Sequence, residues 1–178
     1  MTMETLHDLF EHELKDIYDA ESRLVDALRQ QASESTDAQI RAAFQAHMKE
    51  TEGQKERLEQ VFEIWGKEAT RGEGCAGVQG LLEEHKNFKR EKPAGPILDV
   101  FNLGAAAKVE RYEITAYEGL IRLATQMGLD DAVELLEQNL EEEEATLEKV
   151  TGFLDDEKVV AKMKTGEKVG SKGPTRSR

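Results

Sequence analysis

Hydrophobic residues recur along this chain at the three- and four-residue spacing of an amphipathic helix. The clearest series lies near the C-terminus, and one acidic residue interrupts it: Leu129, Val133, Leu136, Leu140, Glu143, Leu147, Val150 and Leu154. A second series near the N-terminus has the same spacing and the same kind of interruption: Phe10, Leu14, Ile17, Glu21, Leu24 and Leu28. No stretch alternates apolar and polar residues with the period of a β-strand. The pattern therefore predicts an all-α protein.

Turn-forming residues divide the chain into four long helices and one longer connection. We predict the long helices over about residues 4–31, 36–65, 97–127 and 130–155. Residues 66–96 begin with glycines, end with two prolines and contain one short amphipathic stretch. Two helical hairpins joined by a long connection are typical of a four-helix bundle with one crossover. We expect residues 1–161 to form this bundle, with a fifth short helix in the crossover, and residues 162–178 to be a basic, disordered tail.

One glutamate in each predicted long helix lies where the apolar series requires a hydrophobic residue. These acids are Glu21, Glu50, Glu113 and Glu143. An ionised carboxylate in the core of a bundle is costly unless a positive partner binds it, and several together repel one another. A metal ion is the simplest partner, and we predict that these four glutamates bind one.

The spacing of the four glutamates places them at one height of the bundle. Glu21 and Glu50 are equally far from the centre of the first turn, and Glu113 and Glu143 are equally far from Gly128 in the second turn. Residues that are equidistant from the turn of an antiparallel hairpin lie side by side. Each pair is roughly 15 residues, or ~22 Å, from its own turn at the helical rise, which is near the middle of the bundle. The two pairs are therefore expected to form one layer.

Three polar residues accompany the glutamates on the same helix faces. His47, Glu50 and Gln54 share one side of the second long helix, and Glu110 precedes Glu113 by three residues. A set of oxygen ligands with one imidazole favours iron or manganese and also tolerates zinc or magnesium. Two of these assignments stay open, because His47 is equally consistent with a core histidine and Glu110 with an outward-facing side chain.

Charge and cysteine content narrow the classes of partner. The net charge is −13, although residues 162–178 hold six basic residues and one acidic one. An acidic body repels nucleic acid and attracts cations.

The chain has no apolar run of the ~20 residues that a membrane span needs, and its start has no signal-peptide pattern. A single cysteine, Cys75, excludes an internal disulfide and suggests a reducing cytoplasm; we interpret it as a tolerated loop residue.

Four segments together resemble the YciE/YciF-type ferritin-like family of bacterial stress-associated proteins. They are Leu14–Glu21, Ala43–Gln54, Lys108–Ile114 and Leu140–Thr146, and the resemblance extends over roughly residues 3–155. It implies a ferritin-like bundle, a homodimer and a carboxylate-rich site for two metal ions. By position, the residues that match the expected site are Glu21, Glu50, Gln54, Glu113 and Glu143, with Glu110 and His47 as further candidates.

The sequence departs from the wider ferritin-like pattern at two positions. Di-iron bundles carry Glu-x-x-His on two helices. Here Gly53 stands three residues after Glu50, and Thr146 stands three residues after Glu143. Both expected histidines are missing, which weakens the case for oxygen-activating iron chemistry.

Two functional hypotheses follow from these residues. The first is a cytoplasmic protein that binds two metal ions, with iron preferred over manganese or zinc, and that oxidises Fe(II) or consumes peroxide or oxygen if it is an enzyme. The alternative is a non-enzymatic helical stress or assembly protein without a functional metal, whose buried acids are relics or are neutralised by protonation. A third and weaker hypothesis has the basic tail bind nucleic acid or a membrane surface.

Overall fold

The computed structural model describes residues 3–157, 159 and 161, and within them it contains five helices and no strand. The helices are α1 (Leu6–Glu34), α2 (Ala38–Ile64), α3 (Ala76–Arg90), α4 (Gly95–Gln126) and α5 (Asp130–Asp155). None of them combines the length and the apolar character that crossing a bilayer requires. The predicted tail at 162–178 lies outside the described residues.

Side-chain caps begin α1 and α2, and a glycine separates α4 from α5. The side chain of Thr5 accepts a hydrogen bond from the backbone N–H of Asp8, and the Asp8 carboxylate accepts one from the N–H of Thr5, which forms a capping box at the start of α1. Asp37 caps α2 through the N–H groups of Gln39 and Ile40. Gly128 has a φ of 69°, which a residue with a Cβ rarely adopts, and it separates α4 from α5.

The four long helices pack as two antiparallel hairpins. α1 lies along α2 and α4 lies along α5, while α2 contacts α5 and α1 contacts α4. α3 lies in the crossover and packs on α4 and α1. The predicted ferritin-like bundle with a fifth short helix is therefore confirmed.

Two hydrophobic clusters fill the two ends of the bundle. One cluster includes Phe10, Leu14, Leu58, Phe62 and Leu136, and the other is formed by Leu28, Ile40, Phe44, Leu103, Val150 and neighbouring alanines. On α2 and α5 the buried residues between the two clusters are polar, and α4 contributes the buried acids Glu110 and Glu113. The core is thus interrupted by a polar layer near mid-height, where the four glutamates were expected.

The crossover is attached to α1 and α4 by buried polar contacts. Cys75 is fully buried and caps α3, because its sulfur accepts a hydrogen bond from the N–H of Val78. Its own N–H donates to the Asp19 carboxylate at 2.8 Å, and its Sγ lies 3.0 Å from the hydroxyl of Tyr112. Cys75 is therefore a structural residue at a helix start, and no other cysteine exists to pair with it.

Asp99 joins the two hairpins at one end of the bundle. This buried carboxylate near the start of α4 accepts hydrogen bonds from the backbone N–H groups of Thr36 (3.0 Å) and Asp37 (3.1 Å) in the first turn.

We expect Asp99→Ala to lower the free energy of unfolding by about 2 kcal/mol or more, because two N–H donors lose their acceptor. Urea unfolding measures this change, with Asp26→Ala as a control, since Asp26 is exposed and pairs with Arg29 on its own helix. Equal effects of the two substitutions would contradict it.

Candidate metal centre

Six buried residues form the polar layer at the middle of the bundle. α1 contributes Glu21, α2 contributes His47 and Gln54, α4 contributes Glu110 and Glu113, and α5 contributes Glu143. His47 is 6% exposed, and the other five side chains are at most 1% exposed. Five of the predicted residues lie close together, namely Glu21, His47, Glu110, Glu113 and Glu143, and Glu110 faces the core.

The ligand atoms fall into two groups that share one carboxylate. His47, Glu110 and Glu143 form the first group, and Glu21, Glu113 and Glu143 form the second. Within each group the candidate atoms lie within 4.8 Å of one another. Each group could hold a metal ion, and Glu143 could contact both.

Glu50 lies apart from the two groups. Its side chain is 33% exposed and turns towards α5, where Thr146 Oγ1 and Lys149 Nζ each donate a hydrogen bond at 3.3 Å. Its Oε2 lies 3.8 Å from Nδ1 of His47. In this conformation Glu50 is an outer partner of the histidine, and its role as a ligand stays a prediction.

Many polar atoms of the layer have no hydrogen-bond partner among the residues that the structure describes. They include both amide atoms of Gln54, both carboxylate oxygens of Glu110 and Glu143, and one oxygen each of Glu21 and Glu113. Nε2 of His47 lies 3.2 Å from a Glu110 oxygen, which is a close ionic contact without hydrogen-bond alignment. Buried acceptors are rarely left unpaired, and a cation is the partner that so many carboxylate oxygens fit.

Burial raises the pKa values of Glu21, Glu113 and Glu143 and so favours their protonated forms. Loss of hydration raises the pKa of Glu21 to about 8, although a hydrogen bond from Tyr117 opposes the shift. Burial, followed by the charges of neighbouring carboxylates, raises the pKa of Glu113 and of Glu143 well above the ordinary value. These carboxyl groups are therefore largely neutral at pH 7 unless a cation replaces their protons.

Charged neighbours shift the pKa values of His47 and Glu50 and so determine their protonation states. Burial alone would lower the pKa of His47, but the adjacent Glu110 carboxylate raises it to about 9. The neighbouring His47 imidazole, and then Lys149, lower the pKa of Glu50 to about 2. His47 is thus a cation between two carboxylates in the metal-free protein, and a metal bound to its ring would have to displace a proton.

A hydrogen-bonded chain connects the layer to the bundle surface. The Tyr117 hydroxyl donates a short hydrogen bond to Glu21 and accepts one at 3.0 Å from the Asn139 amide, which also reaches the backbone oxygen of Gln54 at 3.2 Å. Arg57 donates to Asn139 and to Glu142. Neither Asn139 nor Arg57 was predicted from the sequence. The position of Asn139 could have indicated it, because Asn139 stands one helical turn before Glu143 on the same face of α5.

Comparison with known proteins agrees with the fold and the residue pattern. The family model described as a domain of unknown function, DUF892, matches residues 5–163. The chain belongs to this family. Protein YciF of Escherichia coli strain K12 is 39% identical over 151 residues, which are 85% of this chain and 91% of YciF. The resemblance to the YciE/YciF-type family is therefore confirmed.

Solved structures show the same architecture. The crystal structure of the Escherichia coli stress protein YciF has a TM-score of 0.81 at 36% identity, and the match covers 91% of this chain and 99% of that one. YcfI from Rhodopseudomonas palustris, described as a candidate structural protein, has a TM-score of 0.80 at 36% identity over 84% of this chain and 94% of that one. A protein from Xanthomonas campestris pv. campestris has a TM-score of 0.70 at 16% identity over 90% and 98% of the two chains, which shows the fold alone.

The raised pKa values give a pH dependence of the metal-free protein. An acid whose pKa is raised by folding binds its proton more tightly in the folded chain, so stability falls as pH rises from the ordinary value, 4.5, towards the folded value, which is about 8 for Glu21. His47, raised from 6.5 to about 9, contributes with the same sign. We expect the free energy of unfolding to decrease between about pH 5 and 8, by up to about 1.4 kcal/mol per pH unit for each proton involved.

Urea unfolding of chelator-treated protein across this range measures the slope. Glu143→Gln should flatten it, because an amide carries no proton to lose, whereas Glu144→Gln on the exposed face of α5 should leave it unchanged. A stability that is constant or that increases over this range would contradict the assignment of neutral buried acids.

Proposed function

We propose that this protein binds two metal ions in the mid-bundle layer, with iron preferred and manganese or zinc as alternatives. The observation that carries the proposal is the pair of buried ligand groups that share Glu143. The carboxylate oxygens without hydrogen-bond partners support it, because a bound cation would satisfy all of them at once.

The two groups would divide the ligands between two ions. His47, Glu110 and Glu143 would hold one ion, and Glu21 and Glu113 would hold the other together with the shared Glu143. Four carboxylates with their protons displaced carry four negative charges, which balance two divalent cations. Oxygen ligands with one imidazole suit iron and manganese better than softer metals.

The surrounding residues would control water and protons. A pair of iron ions bound here would supply Fe(II) oxidation with oxygen or peroxide as electron acceptor. The apolar clusters on both sides of the layer limit water access. Tyr117 orients Glu21 through its hydrogen bond, and Glu50 beside Nδ1 of His47 would orient the imidazole, as carboxylates commonly do for metal-bound histidines.

The cellular setting is part of the proposal. The relative YciF is described as a stress protein, and we propose a role in the stress response for this chain as well. We further propose a cytoplasmic homodimer, since the single cysteine fits a reducing compartment and the family resemblance implies a dimer. Membranes and nucleic acid are not among the proposed partners, because the described helices include none that could span a membrane and the chain is acidic.

A second candidate function is a non-enzymatic helical stress or assembly protein. The observation that favours it is the burial that keeps Glu113 and Glu143 protonated, because neutral acids need no metal to persist in a core. The description of YcfI as a candidate structural protein points in the same direction.

Metal content separates the two functions. We expect protein purified without chelator to hold up to two transition-metal ions per chain, and metal-free protein to take up Fe(II) anaerobically. Glu143→Gln should weaken binding of both ions by at least about 10-fold, because it removes the shared ligand. Glu144→Gln is the matched control, one residue away on the exposed face. Less than one ion per chain, together with no Fe(II) uptake, would remove the metal hypothesis.

Stability measurements provide a second test. Replacement of a buried acid by a hydrophobic residue removes a desolvation cost, so Glu143→Leu should stabilise the metal-free protein. Metal at 100 times its dissociation constant should stabilise the wild type by about 2.7 kcal/mol and should not stabilise the variant. Thermal unfolding with and without metal measures both effects. An equal response of wild type and variant to metal would indicate binding elsewhere on this acidic chain.

A further inference from the structure

An apolar cavity opens beside the polar layer, between α2, α4 and α5. Its volume is about 330 Å³, and its walls include Phe44, Leu103, Val150 and Phe153. This volume is within the range of small-molecule sites, and a largely apolar lining with a few polar groups at one end is typical of them.

The polar end of the cavity carries more hydrogen-bond donors than acceptors. His47, Glu50, Thr146 and Lys149 lie there. Nδ1 of the buried His47 has no hydrogen-bond partner among the described residues. Thr146 and Lys149 both donate to Glu50, at 3.3 Å, and Nδ1 of His47 is 3.8 Å from the same carboxylate. Thr146 and Lys149 therefore share one carboxylate, and both contacts are long for charge-assisted hydrogen bonds.

We propose that this cavity binds a small monocarboxylate with an apolar chain. The chain would lie against Phe44, Leu103 and Phe153, and the carboxylate head would bind Lys149 and Thr146, which now hold Glu50. Among the described residues that line the cavity, Glu50 is the one acidic side chain, so a cationic ligand would have to displace Lys149 and Thr146 from it, whereas a carboxylate ligand would compete with Glu50 for these two donors. The cavity shares His47 and Glu50 with the proposed metal centre, but binding of a monocarboxylate requires no metal.

Ligand length tests the apolar part of the site. Isothermal titration of the full chain, freed of metal, with butyrate, hexanoate and octanoate should show saturable binding of one molecule per chain. Each added methylene that is buried should tighten the dissociation constant about fourfold. 1-Octanol, which has the same chain without the charge, should bind more weakly than octanoate.

Matched substitutions test the location. Ala43 lines the cavity and is half-buried, so Ala43→Trp should fill the cavity and abolish octanoate binding; Ala42→Trp, at an exposed neighbouring position, should not. Lys149→Gln should weaken binding about tenfold, since a charge-assisted contact is lost. Lys108→Gln, which removes a similarly exposed lysine elsewhere, is its control.

Glu50→Gln provides the sharpest test. Removal of the competing charge should tighten octanoate binding, whereas an adventitious surface site would not respond. Three results would overturn the proposal: no saturable binding, binding without dependence on chain length, or equal binding by the Ala43→Trp variant. If octanoate fails to bind and Ala43→Trp instead dissociates an oligomer in sedimentation analysis, the cavity belongs to an interface between copies of this chain.

Discussion

The structure depends on the burial of several carboxyl groups in one layer of a helical bundle. Glu21, Glu110, Glu113 and Glu143 are removed almost completely from water, and His47 is the one basic residue buried among them in the part of the chain that the structure describes. Such a layer persists only if the acids keep their protons or share a cation. In the metal-free protein burial raises the pKa values of Glu21, Glu113 and Glu143, while the charged His47 lies beside the Glu110 carboxylate. The second condition describes the proposed function. If the proposal holds, the same geometry would have two chemical states that differ by protons and metal.

The rest of the bundle can be understood as support for this layer. The two hydrophobic clusters lie on opposite sides of it and supply the apolar burial that offsets its desolvation cost. Asp99 joins the hairpins at one end, and Gly128 allows the turn between α4 and α5. Tyr117 donates a hydrogen bond to Glu21 in the layer, and Asn139 donates one to the Tyr117 hydroxyl. Because the helices are anchored at their ends and packed on both sides, the ligand side chains have little freedom to separate, which favours preorganised binding.

Much of this could be predicted from the sequence, because helical periodicity is a local property. The apolar series predicted the helices within a few residues and placed Glu21, Glu113 and Glu143 on the inner faces, as the structure has them. The position of Glu50 was harder to predict, because the carboxylate that the seam pattern placed in the core turns outward to Lys149 on another helix. The contacts of Asp99 with Asp37 and of Cys75 with Asp19 join residues 62 and 56 positions apart along the chain. Periodicity carries no information on such contacts.

The structure shows what surrounds Gly53 and Thr146, the two positions at which the wider pattern has histidines. A Cβ on Gly53 would lie 3.8 Å from the guanidinium of Arg57, so a positive group lies beside the position where the wider pattern has an imidazole. Thr146 is buried and donates its hydroxyl to Glu50. The one imidazole of the layer comes instead from His47, one turn before Glu50 on α2, and it reaches Glu110. The ligand set is thus richer in oxygen than the histidine-bearing di-iron pattern. If metal ions bind as proposed, this composition would suit hard or borderline ions such as manganese and iron better than soft ones, because carboxylate oxygens are hard ligands.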